Sequence, residues 1–84
     1  MFYTYILYSA SLDIYYKGFT TDIDKRTEYH ISGKSKYTSK SKDWIIVYYH
    51  LFVSKTEALI EEKRLKKLNR ASIEKIILNF NSNK

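Results

Sequence analysis

Cysteine and proline are both absent from these 84 residues, and glycine occurs only as Gly18 and Gly33. Without cysteine there are no disulfide staples, zinc thiolate sites, iron–sulfur clusters or thiol nucleophiles. A small chain without staples rests on packing alone and suits a reducing cytoplasm. Two isolated glycines cannot build the phosphate cradles G-x-x-x-x-G-K-[ST] or G-x-G-x-x-G. There is no G-x-S-x-G, and only His30 and His50 could nucleate a zinc site, so dehydrogenases, kinases and zinc hydrolases drop out. No repetitive or low-complexity stretch marks a linker, and residues 1–84 read as one domain. The longest apolar stretch, Trp44 to Phe52, is too short and too polar to span a bilayer, so no membrane partner is expected. The opening MFYTYILYS has neither a basic region nor a small-residue cleavage site and reads as a core strand.

What is present is apolar and basic. Apolar residues make up 44% of the chain and aromatic ones 17%, which excludes intrinsic disorder. Fifteen Lys and Arg against nine Asp and Glu leave a net charge of +6. On so small a body this points to a polyanionic partner, nucleic acid first, although ordinary solubility charge explains the composition equally well.

The order of elements predicts ββαβαα, an α+β fold with three antiparallel strands and helices packed on them. Phe2 to Tyr8 is β-branched and aromatic, and its near-continuous apolarity predicts burial on both faces. A turn near Ser9 to Asp13 leads to a hairpin partner, Ile14 to Thr20. Thr21 or Asp22 caps a helix that ends at Gly33, with Ile23, Thr27 and Ile31 on one face and Arg26 and His30 beside it. Ser32 to Lys42, SGKSKYTSKSK, has four lysines and no acid and reads as a long exposed loop. Trp44 to Phe52 is the third strand. Ser54 and Glu57 form a capping box opening a helix to about Asn69, with Ala58, Leu59, Leu65 and Leu68 as its apolar stripe. Ala71 to Phe80 predicts a last short helix, after which four residues fray.

Several polar groups fall where burial is expected. Tyr5 and Tyr16 lie mid-strand, and Glu62, four after Ala58 and three before Leu65, lies in an apolar stripe. A buried charge needs a partner or a metal. Ordinary readings exist for each: strand tyrosines are usually core or edge residues, and Glu62 can pair with Lys66 one turn on. Glu61 also borders the stripe, so helical spacing does not choose between the two acids.

Taken in order, these residues resemble a known family. Tyr3-Thr4-Tyr5 followed by Tyr16-Lys17-Gly18 resembles the two signature elements of the GIY-YIG nucleases, and Arg26, His30, the SGKSKYT segment and Glu57 to Glu62 follow in sequence. The match spans roughly residues 2–68. It is closest to the small stand-alone bacterial members and more distantly similar to the nuclease module of the repair protein UvrC. The departures are YTY for the first element and YKG for the second; Asn69 is the nearest candidate for the additional asparagine of larger relatives.

The resemblance implies a metal-dependent endonuclease that hydrolyses phosphodiester bonds, in DNA ahead of RNA, in a repair or recombination setting. It implies Tyr5, Tyr16, Arg26, His30 and Glu62 as catalytic residues, with Glu62 holding Mg²⁺ or another divalent cation. Tyr5 is the expected base, and Lys17, Arg26 and His30 are the cations available to ease its ionisation. Lys17, Lys34, Lys36, Tyr37, Lys40 and Lys42 are the expected nucleic-acid contacts. The alternatives are a non-catalytic nucleic-acid-binding module on the same fold, and a small basic RNase needing no metal.

Overall fold

The computed structural model describes residues 1–82. Strand β1 (Phe2–Ser9) forms a hairpin with β2 (Ile14–Thr20), α1 (Ile23–Ile31) follows, and a 3₁₀ turn at Thr38–Lys40 leads into β3 (Trp44–Phe52). Helices α2 (Lys55–Lys67) and α3 (Arg70–Ser82) complete the ββαβαα order. The sheet is antiparallel with order β2-β1-β3, so the first strand is central.

That position explains the apolar text of β1, whose Thr4, Tyr5, Ile6 and Leu7 are all buried. Alternate residues point to opposite faces. Ile6 joins Tyr48, Leu65 and Ile73 beneath α2 and α3. Tyr5 and Leu7 join Trp44 on the other face, with Ile23 of α1 and Tyr16 packed against them. Between Ile6 and Leu7 the β3 register slips, leaving Val47 as the extra residue of a bulge.

Local chemistry sets the helix ends. Asp22 accepts the Lys25 N–H at 3.1 Å and opens α1, and Gly33 at φ +80° follows its C-cap, as Gly at C′ requires. Ser54 accepts the Glu57 N–H at 3.4 Å at the start of α2. Asn69 does not extend α2; its Oδ1 accepts the Ser72 N–H at 2.9 Å and caps α3. Arg70 then docks α3 onto the hairpin turn, with Nη2 2.6 Å from Asp13 Oδ1 and Nη1 2.8 Å from the Asp13 carbonyl. A hydrogen bond from Tyr8 and this guanidinium hold the Asp13 carboxyl below its ordinary range.

Four expectations are corrected. The buried residue of α1 is His30, while Ile31 is exposed, because the following loop folds back over the helix end. That loop is not wholly exposed: Lys34, Lys36, Lys40 and Lys42 face solvent, but Ser35 and Thr38 are buried. On α2 the inward row is Ala58 and Leu65, while Leu59 is exposed, and Leu68, extended and half-buried, lies just past the end of the helix. At the C-terminus Asn81 and Ser82 continue α3, and residues 83–84 lie outside the described residues.

Candidate active site

Tyr5 faces Gly18 across the β1–β2 pair, and its ring reaches over that residue toward the open β2 edge. A Cβ at Gly18 would stand 2.5 Å from Tyr5 Cζ, a distance no real side chain tolerates. Glycine in the second signature element is therefore a steric requirement of tyrosine in the first. The Tyr5 Oη lies 2.9 Å from His30 Nε2, and His30 Nδ1 lies 2.7 Å from Thr38 Oγ1. All three residues are buried. The Tyr16 ring packs 4.8 Å from His30 and 5.6 Å from the exposed Tyr37, over which Lys40 Nζ lies at 5.9 Å.

Two helices bring charge to Tyr5. Arg26 of α1 has no carboxylate partner among the described residues; its guanidinium lies 5.2 Å from the Tyr29 ring centroid and lines a shallow groove of 330 Å³ with Thr20, Asp22, Lys25 and Tyr29. On the opposite face Thr4, the middle residue of the first element, donates its hydroxyl to the Ala58 carbonyl at 2.6 Å and seats α2 against β1. Glu62 follows Ala58 by one turn. Burial raises the Tyr5 phenol above its ordinary value, the neighbouring Tyr16 adds to this, Arg26 opposes it, and Glu62 raises it further. The phenol thus lies within electrostatic reach of groups from both helices.

The structure separates the two acids that helical spacing leaves equivalent. Glu61 is committed: Arg64 contacts it through Nε at 2.6 Å and Nη2 at 2.8 Å, and Tyr48 Oη lies 3.5 Å from its Oε2. Glu62 has a single 3.5 Å ion pair with the exposed Lys66, and its side chain is 20% exposed. A surface pair of that kind is worth little and is easily exchanged. Among the described residues no three His, Cys, Asp or Glu side chains cluster as a metal cage. The donor set suits a hard cation that keeps most of its waters and shares phosphate oxygens with a substrate, since one carboxylate suffices for Mg²⁺ in that mode.

Not every expected residue reaches this place. Lys17 pairs with Ile6 and so points to the α2 and α3 face, away from Tyr16 and His30. Burial, aided by Arg26, lowers the His30 pKa, so its imidazole is neutral at pH 7. Of the three cations expected to favour the Tyr5 phenolate, the structure leaves Arg26. Asn69 is occupied as the α3 cap. Thr38 was not foreseen, because its contact with His30 is made by the loop folding back and leaves no periodic signal.

A family model for the GIY-YIG catalytic domain matches residues 1–76. The chain belongs to the GIY-YIG family. A UPF0213 protein from Oceanobacillus iheyensis is 36% identical over 76 residues, covering 89% of this chain and 87% of the relative. One from Halobacterium salinarum is 36% identical over 75 residues, covering 88% and 96%. The solution NMR structure of a UPF0213 protein from Bacillus halodurans is 38% identical and superposes with a TM-score of 0.59, covering 92% of this chain and 83% of that one. Among the described residues of this GIY-YIG domain, no helix is long and apolar enough to cross a membrane.

The steric pairing of Tyr5 and Gly18 is directly testable in this GIY-YIG chain. Gly18→Ala is expected to cost about 1–3 kcal/mol by overpacking and to lower Tm by several degrees. It should also remove the proximity between the Tyr5 and His30 rings in NMR spectra. Unchanged ring contacts would show that Tyr5 does not lie over residue 18.

Proposed function

We propose that this GIY-YIG domain, with all 84 residues as one unit, is a divalent-cation-dependent endonuclease. It hydrolyses phosphodiester bonds in nucleic acid, DNA ahead of RNA, in a repair or recombination setting in the cytoplasm. The observation that supports this reading is a single phenol, Tyr5, hydrogen-bonded to His30 and acted on by Arg26 from one helix and Glu62 from another.

The roles follow from residue chemistry. Tyr5, as phenolate, takes the proton of the attacking water while the new P–O bond forms and the P–O3′ bond breaks. Arg26 offers a planar fork of donors to the non-bridging oxygens. Tyr16 positions water and phosphate, and His30, whose two ring nitrogens are engaged by Tyr5 and Thr38, acts on the reaction by orienting the Tyr5 hydroxyl. Glu62 would hold a divalent cation, Mg²⁺ in the first instance, whose charge favours departure of the 3′-oxygen. Lys34, Lys36, Lys40 and Lys42 track the backbone, and Tyr37 offers a face for stacking.

The pH dependence carries the sign of this assignment. Tyr5 must be ionised to act, and its pKa is raised above the ordinary phenol value near 10. The active fraction therefore grows about tenfold per pH unit between pH 7 and 9, and kcat/KM is expected to rise in step without levelling. A plateau in that window would move the base away from Tyr5. The raised pKa is also the observation that favours a non-cutting nucleic-acid-binding module on the same fold. Cleavage assays on branched, nicked and single-stranded substrates of DNA and RNA, with and without Mg²⁺, decide between the two.

Backbone contact by the loop predicts a salt effect. Four lysines neutralising four phosphates contribute about −3.6 to the slope of log K against log[salt] on duplex DNA. Replacing Lys34, Lys36, Lys40 and Lys42 by Ala should flatten the slope by that amount, equally for unrelated sequences. An unchanged slope would place the nucleic acid elsewhere on the protein.

A further inference from the structure

Thr38 lies within the basic loop and yet has no exposed surface. Among the described residues its hydroxyl has one hydrogen-bond partner, His30 Nδ1 at 2.7 Å. Its carbonyl accepts the Trp44 indole N–H at 2.8 Å and the Ser41 N–H at 3.3 Å, which hold this stretch of backbone in place. The other ring nitrogen, Nε2, faces Tyr5 Oη at 2.9 Å.

A neutral imidazole has one N–H donor and one acceptor nitrogen, and burial keeps His30 neutral. Only two proton arrangements satisfy both contacts. In one, His30 Nδ1–H donates to Thr38 and Tyr5 O–H donates to Nε2. The Thr38 proton is then left without an acceptor in a place closed to water. In the other, Thr38 O–H donates to Nδ1 and Nε2–H donates to Tyr5 Oη. The remaining proton then belongs to Tyr5, at the β2 edge beside the side-chain-free Gly18 and under the negative potential of Glu62. An unmet buried donor is penalised, and Thr38 has no exposed surface at all. Tyr5, though buried, keeps 2% of its surface and lies over the backbone of the outer strand, so its proton is the one an approaching phosphate or water would meet.

We infer that Thr38 is a positioning residue that locks His30 in its Nε2–H tautomer, so that His30 donates to the Tyr5 oxygen and the Tyr5 O–H is turned toward the substrate. The same Nε2–H donor stabilises the phenolate once Tyr5 has lost its proton. The loop that carries the four lysines thereby also sets the position of the proton at the site. This inference rests on the nuclease reading for its consequence but not for its test.

Long-range ¹H–¹⁵N correlation spectra of the ¹⁵N-labelled protein read the tautomer without substrate, and His50→Gln identifies which signals belong to His30. At pH 7–8 the wild type is expected to show unprotonated Nδ1 and protonated Nε2. Thr38→Val keeps the shape, removes the donor and should abolish that preference; Thr38→Ser should restore it. Protonated Nδ1 in the wild type overturns the inference even if the valine variant fails to fold. So does an unchanged tautomer in a folded Thr38→Val. Turnover should fall roughly 10–100-fold in Thr38→Val, the scale for losing a group that orients a functional histidine, and recover in Thr38→Ser. If the wild type shows the Nε2–H tautomer but cuts no substrate, the nuclease reading fails and the tautomer assignment stands.

Discussion

Glu62→Gln is expected to abolish Mg²⁺-dependent cleavage, a loss of at least two to three orders of magnitude, while nucleic-acid binding survives. The substitution keeps the size of the side chain and removes its charge. In the fold it gives up only the 3.5 Å pair with the exposed Lys66, so stability should change little. Glu61→Gln is the matched control. It breaks the two-pronged contact with Arg64 and the contact with Tyr48, so its effect should appear in Tm more than in turnover. Isothermal titration with Mg²⁺ and a cleavage time course on both variants separate the roles. Full activity in Glu62→Gln would remove the cation from α2. A cleavage defect confined to Glu61→Gln would transfer the role to its neighbour.

The second large effect is expected at Arg26. Its guanidinium has no carboxylate to hold in place and lies over the Tyr29 ring at the rim of a groove. Removing it as Arg26→Ala should leave Tm nearly unchanged. Turnover should fall by two or more orders of magnitude, the usual scale for one preorganised donor to developing negative charge. Arg26→Lys tests geometry against charge, because an ammonium keeps the positive charge and loses the planar fork. It should recover only part of the loss. A large drop in Tm with a proportionate loss of activity would instead make Arg26 a structural residue.

Much of the fold was legible because its signals are local. The continuous apolarity of Phe2 to Tyr8 demanded cover on both faces, and β1 at the centre of the sheet has it. Caps at Asp22 and Ser54 and the left-handed Gly33 marked helix ends, since each satisfies backbone groups within a few residues. Helical periodicity erred where a distant segment intervened. Ile31 satisfied the pattern of an apolar face, but the returning loop covers His30 instead. Leu59 likewise matched the stripe of α2, whose inward row is set by the bond from Thr4 to Ala58.

The candidate site divides in the same way. The order and spacing of Tyr5, Tyr16, Gly18, Arg26, His30 and Glu62 were carried by the chain itself, and so was the family to which they pointed. Which of Glu61 and Glu62 is uncommitted was decided only by the tertiary structure, because both border one helical stripe and only packing shows that Arg64 and Tyr48 engage the first. The face of Lys17 followed from its register with Ile6, the neutrality of His30 from burial, and the part played by Thr38 from a loop that closes over a helix end. Propensities, caps and periodicities act over a few residues and can be read along the chain. Burial, proton positions and the choice between equivalent acids depend on groups distant in sequence, and they exist only once the chain has folded.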